Sequence, residues 1–321
     1  MGKDKLHGVI LLNMGGPETQ EEVHPFLYRL FSDRSLIELG PALLQKPIAR
    51  YIARKRAPKS RKTYQQIGGG SPLKKLTREQ ASALETQLNA ERSQRYLVTV
   101  AMRYCPPFSE EAVQQLLAKE IDCLTVLSLY PHYSRATGGS SILEMQRILK
   151  QLAPEMPVVY IKEWPDQPTY IQSLAGRILD GLEAFSGEPA TVVYSAHSLP
   201  VSFVKRGDPY VEHLMRTITA VEQITRTEGK LCYQSRSGPV QWLSPSTSEM
   251  LQRLAEGGCK NVLMVPISFV SDHVETLYEI DILYRQQAEA LGMHLRSSAS
   301  LNADPQFIKA LRELVLETKR D

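Results

Sequence analysis

At 321 residues the chain has room for one large domain or two of ordinary size. Apolar residues make up 42% and charged residues 23%, which suits a folded globular protein and excludes a disordered one. The net charge of +3 is too small to argue for nucleic acid, and no run approaches the about 20 apolar residues of a membrane-spanning helix.

In chain order, the first apolar stretch is too short for a signal peptide and runs straight into a strand at Gly8–Asn13, so a cytoplasmic location is expected. A Gly15-Gly16 turn follows. Two helical patterns, Val23–Phe31 and Ala42–Ala53, then form an insertion over 23–61. It sets exposed-looking Phe26, Leu27, Leu30, Phe31, Leu43, Leu44 and Ile48 beside Arg50, Arg54, Lys55, Arg56, Lys59, Arg61 and Lys62. An apolar patch flanked by cations suits an anionic membrane surface at its inner face. A helical hairpin packed on its own sheet explains it equally. A glycine-rich turn at Gly68–Pro72 precedes the helical pattern Glu79–Ala90. From there strands (Tyr96–Met102, Cys123–Leu129, Val158–Ile161) alternate with helices (Ser109–Glu120, Ser141–Leu152).

Pro165, Asp166 and Pro168 break the pattern. The alternation then resumes: helix Gln172–Ala184, strand Thr191–Ser195, helix Val211–Thr227, strand Lys230–Gln234, helix Ser246–Glu256 and strand Asn261–Ile267. Strand–helix alternation implies an α/β fold with parallel, doubly wound sheets. The stretches from Pro107 and from Pro245 repeat one design. Each has a proline, a capping Ser or Thr, an acidic first turn, an amphipathic helix, an apolar strand and then a polar loop with a helix. A duplicated unit with a cleft between its halves is expected, with domains at 1–165 and 166–305. The last segment, 306–321, is expected to be a helix packed back on the first domain. The cysteines (Cys105, Cys123, Cys232, Cys259) are too widely spaced for a zinc site and read as core residues in a reducing compartment.

Two polar motifs directly follow apolar strands: SAHSLP (Ser195–Pro200) and SDHVETLYEID (Ser271–Asp281). In an open α/β sheet such positions line the ligand crevice. His197 could there accept a proton or hold a metal. Glu275 and Glu279, spaced i and i+4, share a helix face with Asp272 and His273 ahead of them and no Lys or Arg from Ser271 to Tyr284. Uncompensated acid of this kind fits a proton path or a route for a divalent cation. The alternative is a capped helix start, with Asp272 as N-cap and Glu275 at the capping-box position. The two glycine turns match no phosphate-binding fingerprint. They allow close backbone approach to a flat ligand or to another loop. Tyr64, Arg103 and Tyr104 add hydroxyls and a cation, and Gln234–Trp242 adds a loop with Ser235 and an indole.

LNMGGPET (Leu12–Thr19), YQQIGGGSP (Tyr64–Pro72), SAHSLP, RGDPY (Arg206–Tyr210), YQSRSGPVQWL (Tyr233–Leu243) and SDHVETLYEID together resemble the ferrochelatase family, from about Gly8 to about Pro305. The resemblance implies two Rossmann-like domains of the chelatase fold, a porphyrin cleft between them and insertion of Fe²⁺ into protoporphyrin IX. By resemblance His197 is the base or metal ligand, and Glu275, also a metal ligand, is the carboxylate opposite it across the macrocycle. His273, Asp272 and Glu279 form the network behind Glu275. Met14, Tyr64, Ser71, Arg103, Tyr104, Arg56, Ser235 and Trp242 surround the porphyrin, and 23–61 is a lip that meets the membrane. The apolar lip admits a homodimer equally.

No tightly bound cofactor is expected, Fe²⁺ being a substrate. Arg135 stands where some members have a cluster-binding cysteine, so no 2Fe–2S cluster is expected. Leu283 replaces a further acid, so a proton path would end at Glu279 or divert to Asp281. Met14, where a coproporphyrin branch tends to have tyrosine, favours protoporphyrin. A chelatase for an early tetrapyrrole would lack the lip and LNMGGPET, and a non-catalytic porphyrin carrier would lose His197 or Glu275.

Overall fold

The computed structural model describes residues 5–90, 95–238 and 240–317. They divide into two compact units. One holds the residues up to Trp164 together with those from Asn302 onward, and the other is Pro165–Leu301.

The first unit is built on β1 (Leu6–Asn13), β2 (Arg95–Met102), β3 (Cys123–Ser128) and β4 (Val158–Ile161), all parallel, in the order β2-β1-β3-β4. Val9, Ile10, Leu11 and Leu12 are all buried, as expected of a central strand covered on both faces. Helices α3 (Leu73–Leu88), α4 (Ser109–Leu117) and α5 (Ser140–Leu152) supply the covering faces. The last helix of the chain, α11 (Pro305–Glu317), packs on α3 in the same unit. Phe307, Ile308 and Leu311 are buried there, and Phe307 lies against Trp164. Residues 302–305 also belong here, because Gln80 and Gln87 donate to the carbonyls of Asn302 and Pro305.

The insertion is a packed hairpin. Helix α1 (Val23–Ser32) lies against α2 (Gln45–Gln66), whose Ala49, Ala53 and Ala57 form a stripe of small buried residues that lets the helices approach closely. This corrects the expected exposure of Phe26, Leu27 and Phe31, which are all buried. Gln45, fully enclosed, donates to the carbonyls of Phe31 and Ile37 and so stitches the turn. What the hairpin leaves in water is Leu43, Leu44 and Tyr51, with Leu43 92% exposed.

The second unit repeats the topology. Strands β5 (Thr191–His197), β6 (Gly229–Gln234), β7 (Asn261–Val265) and β8 (His294–Ser297) run parallel in the order β6-β5-β7-β8. Helices α6 (Pro168–Glu183), α7 (Val201–Lys205), α8 (Tyr210–Thr225), α9 (Thr247–Glu256) and α10 (Arg285–Ala290) complete it. The strand order reverses between β5 and β7, so the crevice of this sheet opens beyond the C-terminal ends of those two strands. In both units the third strand leads to a π-helical segment, Arg135–Gly139 after β3 and Glu275–Tyr284 after β7. The wider π turn is uncommon and, where it occurs, is frequently at a functional site.

Candidate active site

His197 is the last residue of β5, and Glu275 opens the π-helical segment that follows β7. The strand-order reversal therefore brings together residues 78 apart in sequence: His197 Nδ1 lies 2.7 Å from Glu275 Oε2. Burial works against the charge on each group, and the charge of each works in favour of the other's. The pKa of His197 stands above the ordinary histidine value and that of Glu275 well below the usual carboxylate range. An ionised Glu275 accepts, so Nδ1 carries a proton in both states of the ring. The His197 side chain keeps 34% of its surface exposed, which leaves Nε2 as the nitrogen open to a substrate.

This contact corrects the placement of Glu275 across a macrocycle from His197. A direct hydrogen bond leaves no space for a ring between them, so the two act as one dyad on one side. The capping reading of the second motif is corrected too. Glu275 is spent on His197, and Thr276 stitches the start of the segment instead. Its Oγ1 accepts from the His273 amide and lies within hydrogen-bond distance of Asp272 Oδ1, which also accepts from Ser300 Oγ at 2.6 Å.

Behind the dyad, Glu279 accepts from Ser235 Oγ at 2.8 Å and from Gln234 Nε2 at 3.3 Å. Burial, and then the charge of Glu275, push its pKa up to about 7. Gln234 closes β6 beside His197 and is held by Ser195 Oγ, which donates to its Oε1. Its amide nitrogen is thereby aimed at Glu279 and at the Glu275 carbonyl, 2.9 Å away. Ser235 adopts φ +64, a left-handed conformation rare outside glycine, so its side chain rather than the turn explains a serine there. His273 is buried edge-on to Phe269 with Nδ1 on the Ser271 carbonyl, and burial lowers its pKa. Its Nε2 has no partner among the described residues. Trp242 sits in a loop that bridges to Pro200, directly after SAHSL. Asp281 accepts from Ser297 and pairs with Arg285, and Leu283 packs on the core.

The ferrochelatase family profile matches residues 6–319. The sequence is 58% identical over 311 residues to a ferrochelatase of Desulfotalea psychrophila, covering 97% of each chain. The chain belongs to the ferrochelatase family. A ferrochelatase of Geotalea uraniireducens is 51% identical over 313 residues, again with 97% of each chain covered. Among solved structures, SirB from Bacillus subtilis with Fe³⁺ gives a TM-score of 0.57 at 14% identity, over 98% of this chain and 95% of that one. That likeness concerns the fold. As a ferrochelatase the protein is an enzyme, a chelatase that places iron in a porphyrin during haem synthesis.

The site residues expected in the first unit of this ferrochelatase are placed less openly. Met14 is half-buried just past β1, with its amide on Asn13 Oδ1. Tyr64 and Ser71 are buried. A side chain at Gly16 would collide with Ser71 and one at Gly70 with the Glu18 carbonyl, so the two glycine turns are pressed on each other. Their glycines serve contact between loops. Arg103 and Tyr104 are claimed by Asp33, at the end of α1. Asp33 Oδ2 accepts from Arg103, Tyr104 and Ser140, and Arg103 also pairs with Glu144. Tyr104 is buried, with its hydroxyl on Asp33. Arg56 is exposed and lies over the Phe31 ring. Sequence reasoning gave no role to Gln234 or to Ser268, whose Oγ receives the His197 amide. Their only signal is position, at the ends of the strands flanking β5.

The dyad makes a pH prediction. His197 becomes neutral only above its raised pKa, so wild-type turnover should rise with pH through that value. In Glu275→Gln the carboxylate that opposes burial is gone, and the His197 pKa should fall by about a unit or more. Imidazole ¹⁵N NMR across pH 4–9 (roughly the range that brackets histidine titration) checks this, and an unchanged or higher value would contradict the assignment.

Proposed function

We propose that this ferrochelatase inserts Fe²⁺ into protoporphyrin IX with His197 as the base that removes pyrrole protons. The observation that supports the reading most directly is the His197–Glu275 contact at the sheet's crevice, with the imidazole partly open to solvent. Metal insertion requires loss of two pyrrole N–H protons and access to nitrogen lone pairs. The Nε2 lone pair takes a proton, and Glu275 stabilises the imidazolium that forms. Glu279, poised to hold or release a proton near neutral pH, can take up a proton from the Ser235 hydroxyl, while Gln234 holds its carboxylate in place. The same His197 lone pair can hold incoming Fe²⁺ in its other state. Such nitrogen and oxygen ligands release the ion more readily than thiolates do.

Met14 supplies an unbranched, polarizable side chain that suits an apolar porphyrin face. This favours protoporphyrin, with vinyl groups, over the more carboxylated coproporphyrin. The exposed Leu43, Leu44 and Tyr51, with Arg54, Lys55 and Arg56 on α2, support contact with an anionic lipid surface. Among the described residues no helix is long and apolar enough to cross a membrane.

Anaerobic turnover with Fe²⁺, followed by porphyrin absorbance, tests the reaction. His197→Ala should lose at least about 100-fold in kcat while still binding porphyrin, and protoporphyrin should turn over faster than coproporphyrin. Near-normal turnover by the variant would remove His197 as the base, and preference for coproporphyrin would overturn the substrate assignment. Neutralising Arg54, Lys55 and Arg56 together should weaken sedimentation with phosphatidylglycerol vesicles. Binding that is unchanged by this substitution would assign the exposed residues to another surface, such as a second subunit.

A further inference from the structure

Strand β5 runs further than its neighbour on one side. Its ladder with β7 ends at Tyr194↔Val265, whereas its ladder with β6 continues to His197↔Gln234. In a parallel strand the N–H and C=O of one residue point to the same edge. The Ser198 amide donates to the Gln234 carbonyl on the β6 side, so the main chain of His197 faces the side that β7 has vacated. Two side chains occupy that edge. The His197 amide donates to Ser268 Oγ at 3.0 Å, and the Tyr210 hydroxyl donates to the His197 carbonyl at 3.0 Å. Tyr210, the last residue of the RGDPY motif, is 5% exposed, and its amide is set on Asp208 Oδ1 at the start of α8. Its hydroxyl is therefore delivered by a rigid helix start rather than by a loop.

We infer that Tyr210, with Ser268, is a positioning residue that holds the main chain of His197 where its imidazole meets Glu275. The inference rests on His197 being the base. The side-chain clamp replaces the missing rungs of the ladder at the one residue whose ring must stay in place while it exchanges protons. Without the phenol, the carbonyl loses its donor and the strand end is free to shift. Small displacements of a reacting group are costly in rate, because the productive geometry is narrow.

The test compares Tyr210→Phe, Ser268→Ala and Tyr170→Phe. The last removes a fully buried hydroxyl of the same unit that lies on α6 and is bonded to Thr217. Tyr210→Phe and Ser268→Ala should each lower kcat by roughly tenfold, with the porphyrin KM within about twofold of wild type, while Tyr170→Phe keeps wild-type turnover. The downfield ¹H resonance of the His197 Nδ1 proton, assigned by its absence in His197→Ala, should move or broaden in the two clamp variants. That signal is read without turnover, so it stands apart from the question of whether His197 is the base. Should Tyr210→Phe fail to fold, Ser268→Ala carries the same comparison. An unmoved resonance with wild-type kcat, or a loss equal to that in Tyr170→Phe, would overturn the proposal.

Discussion

The short contact between His197 and Glu275 is the interaction on which the electrostatics of the second unit's crevice depend. A carboxylate withdrawn from water is expensive unless it is paired and its remaining lone pairs are satisfied. Glu275 meets the first condition through His197, which also gives a ring that burial would keep neutral a reason to take a proton. A second carboxylate, Glu279, lies close enough to feel that charge, and two like charges in one enclosed place do not both ionise readily. Glu279 therefore takes the higher pKa and accepts from Ser235 and Gln234. The result is one carboxylate fixed in its ionised form and one able to change state near neutral pH.

The duplicated topology explains why this chemistry sits where it does. A parallel sheet gathers every strand's C-terminal end along one edge, and the order reversal opens a crevice between the two central strands. Both units share this device, down to the π-helical segment after the third strand. They use it differently. Past β1 the chain passes into glycines that close on Gly70 and Ser71, a dense contact between loops. Past β5 and β7 it presents the ionisable residues. The loop past β1 is thus held by close packing, and those past β5 and β7 carry the paired acid and base.

The strands were legible because β1, β5 and β7 are buried on both faces and read as continuous apolar runs. Strand β8 escaped notice because only Leu295 is buried between solvent-facing His294 and Arg296. The candidate pair could be named from strand–motif juxtaposition, but not its geometry. Sequence separation says nothing about which side of a ligand two residues share, and direct bonding of His197 to Glu275 had no signal. The i, i+4 spacing of Glu275 and Glu279 fits an α or a π turn equally, so the wider turn was invisible. Burial of Phe26, Leu27 and Phe31 depended on recognising Ala49, Ala53 and Ala57 as a seat for another helix. Arg103 and Tyr104 were legible as a cation and a hydroxyl near a strand end. Their capture by Asp33 depended on where α1 ends.

Two histidines of this unit show how environment divides roles between chemically identical groups. Burial favours the neutral form of both His197 and His273. They part because of what each Nδ1 meets. In His197 it meets an ionised carboxylate, an interaction that strengthens when the ring is charged. In His273 it meets the carbonyl of Ser271, a dipole that orients the ring but offsets little of the cost of a charge. Environments that push paired titratable groups apart are how one site runs acid and base chemistry at a single pH. His197 is thus suited to gain and lose a proton, and His273 to remain a neutral ring against Phe269, with an Nε2 that meets no partner among the described residues. The two rings differ in kind: one is coupled to the acids Glu275 and Glu279, the other is held by a backbone carbonyl.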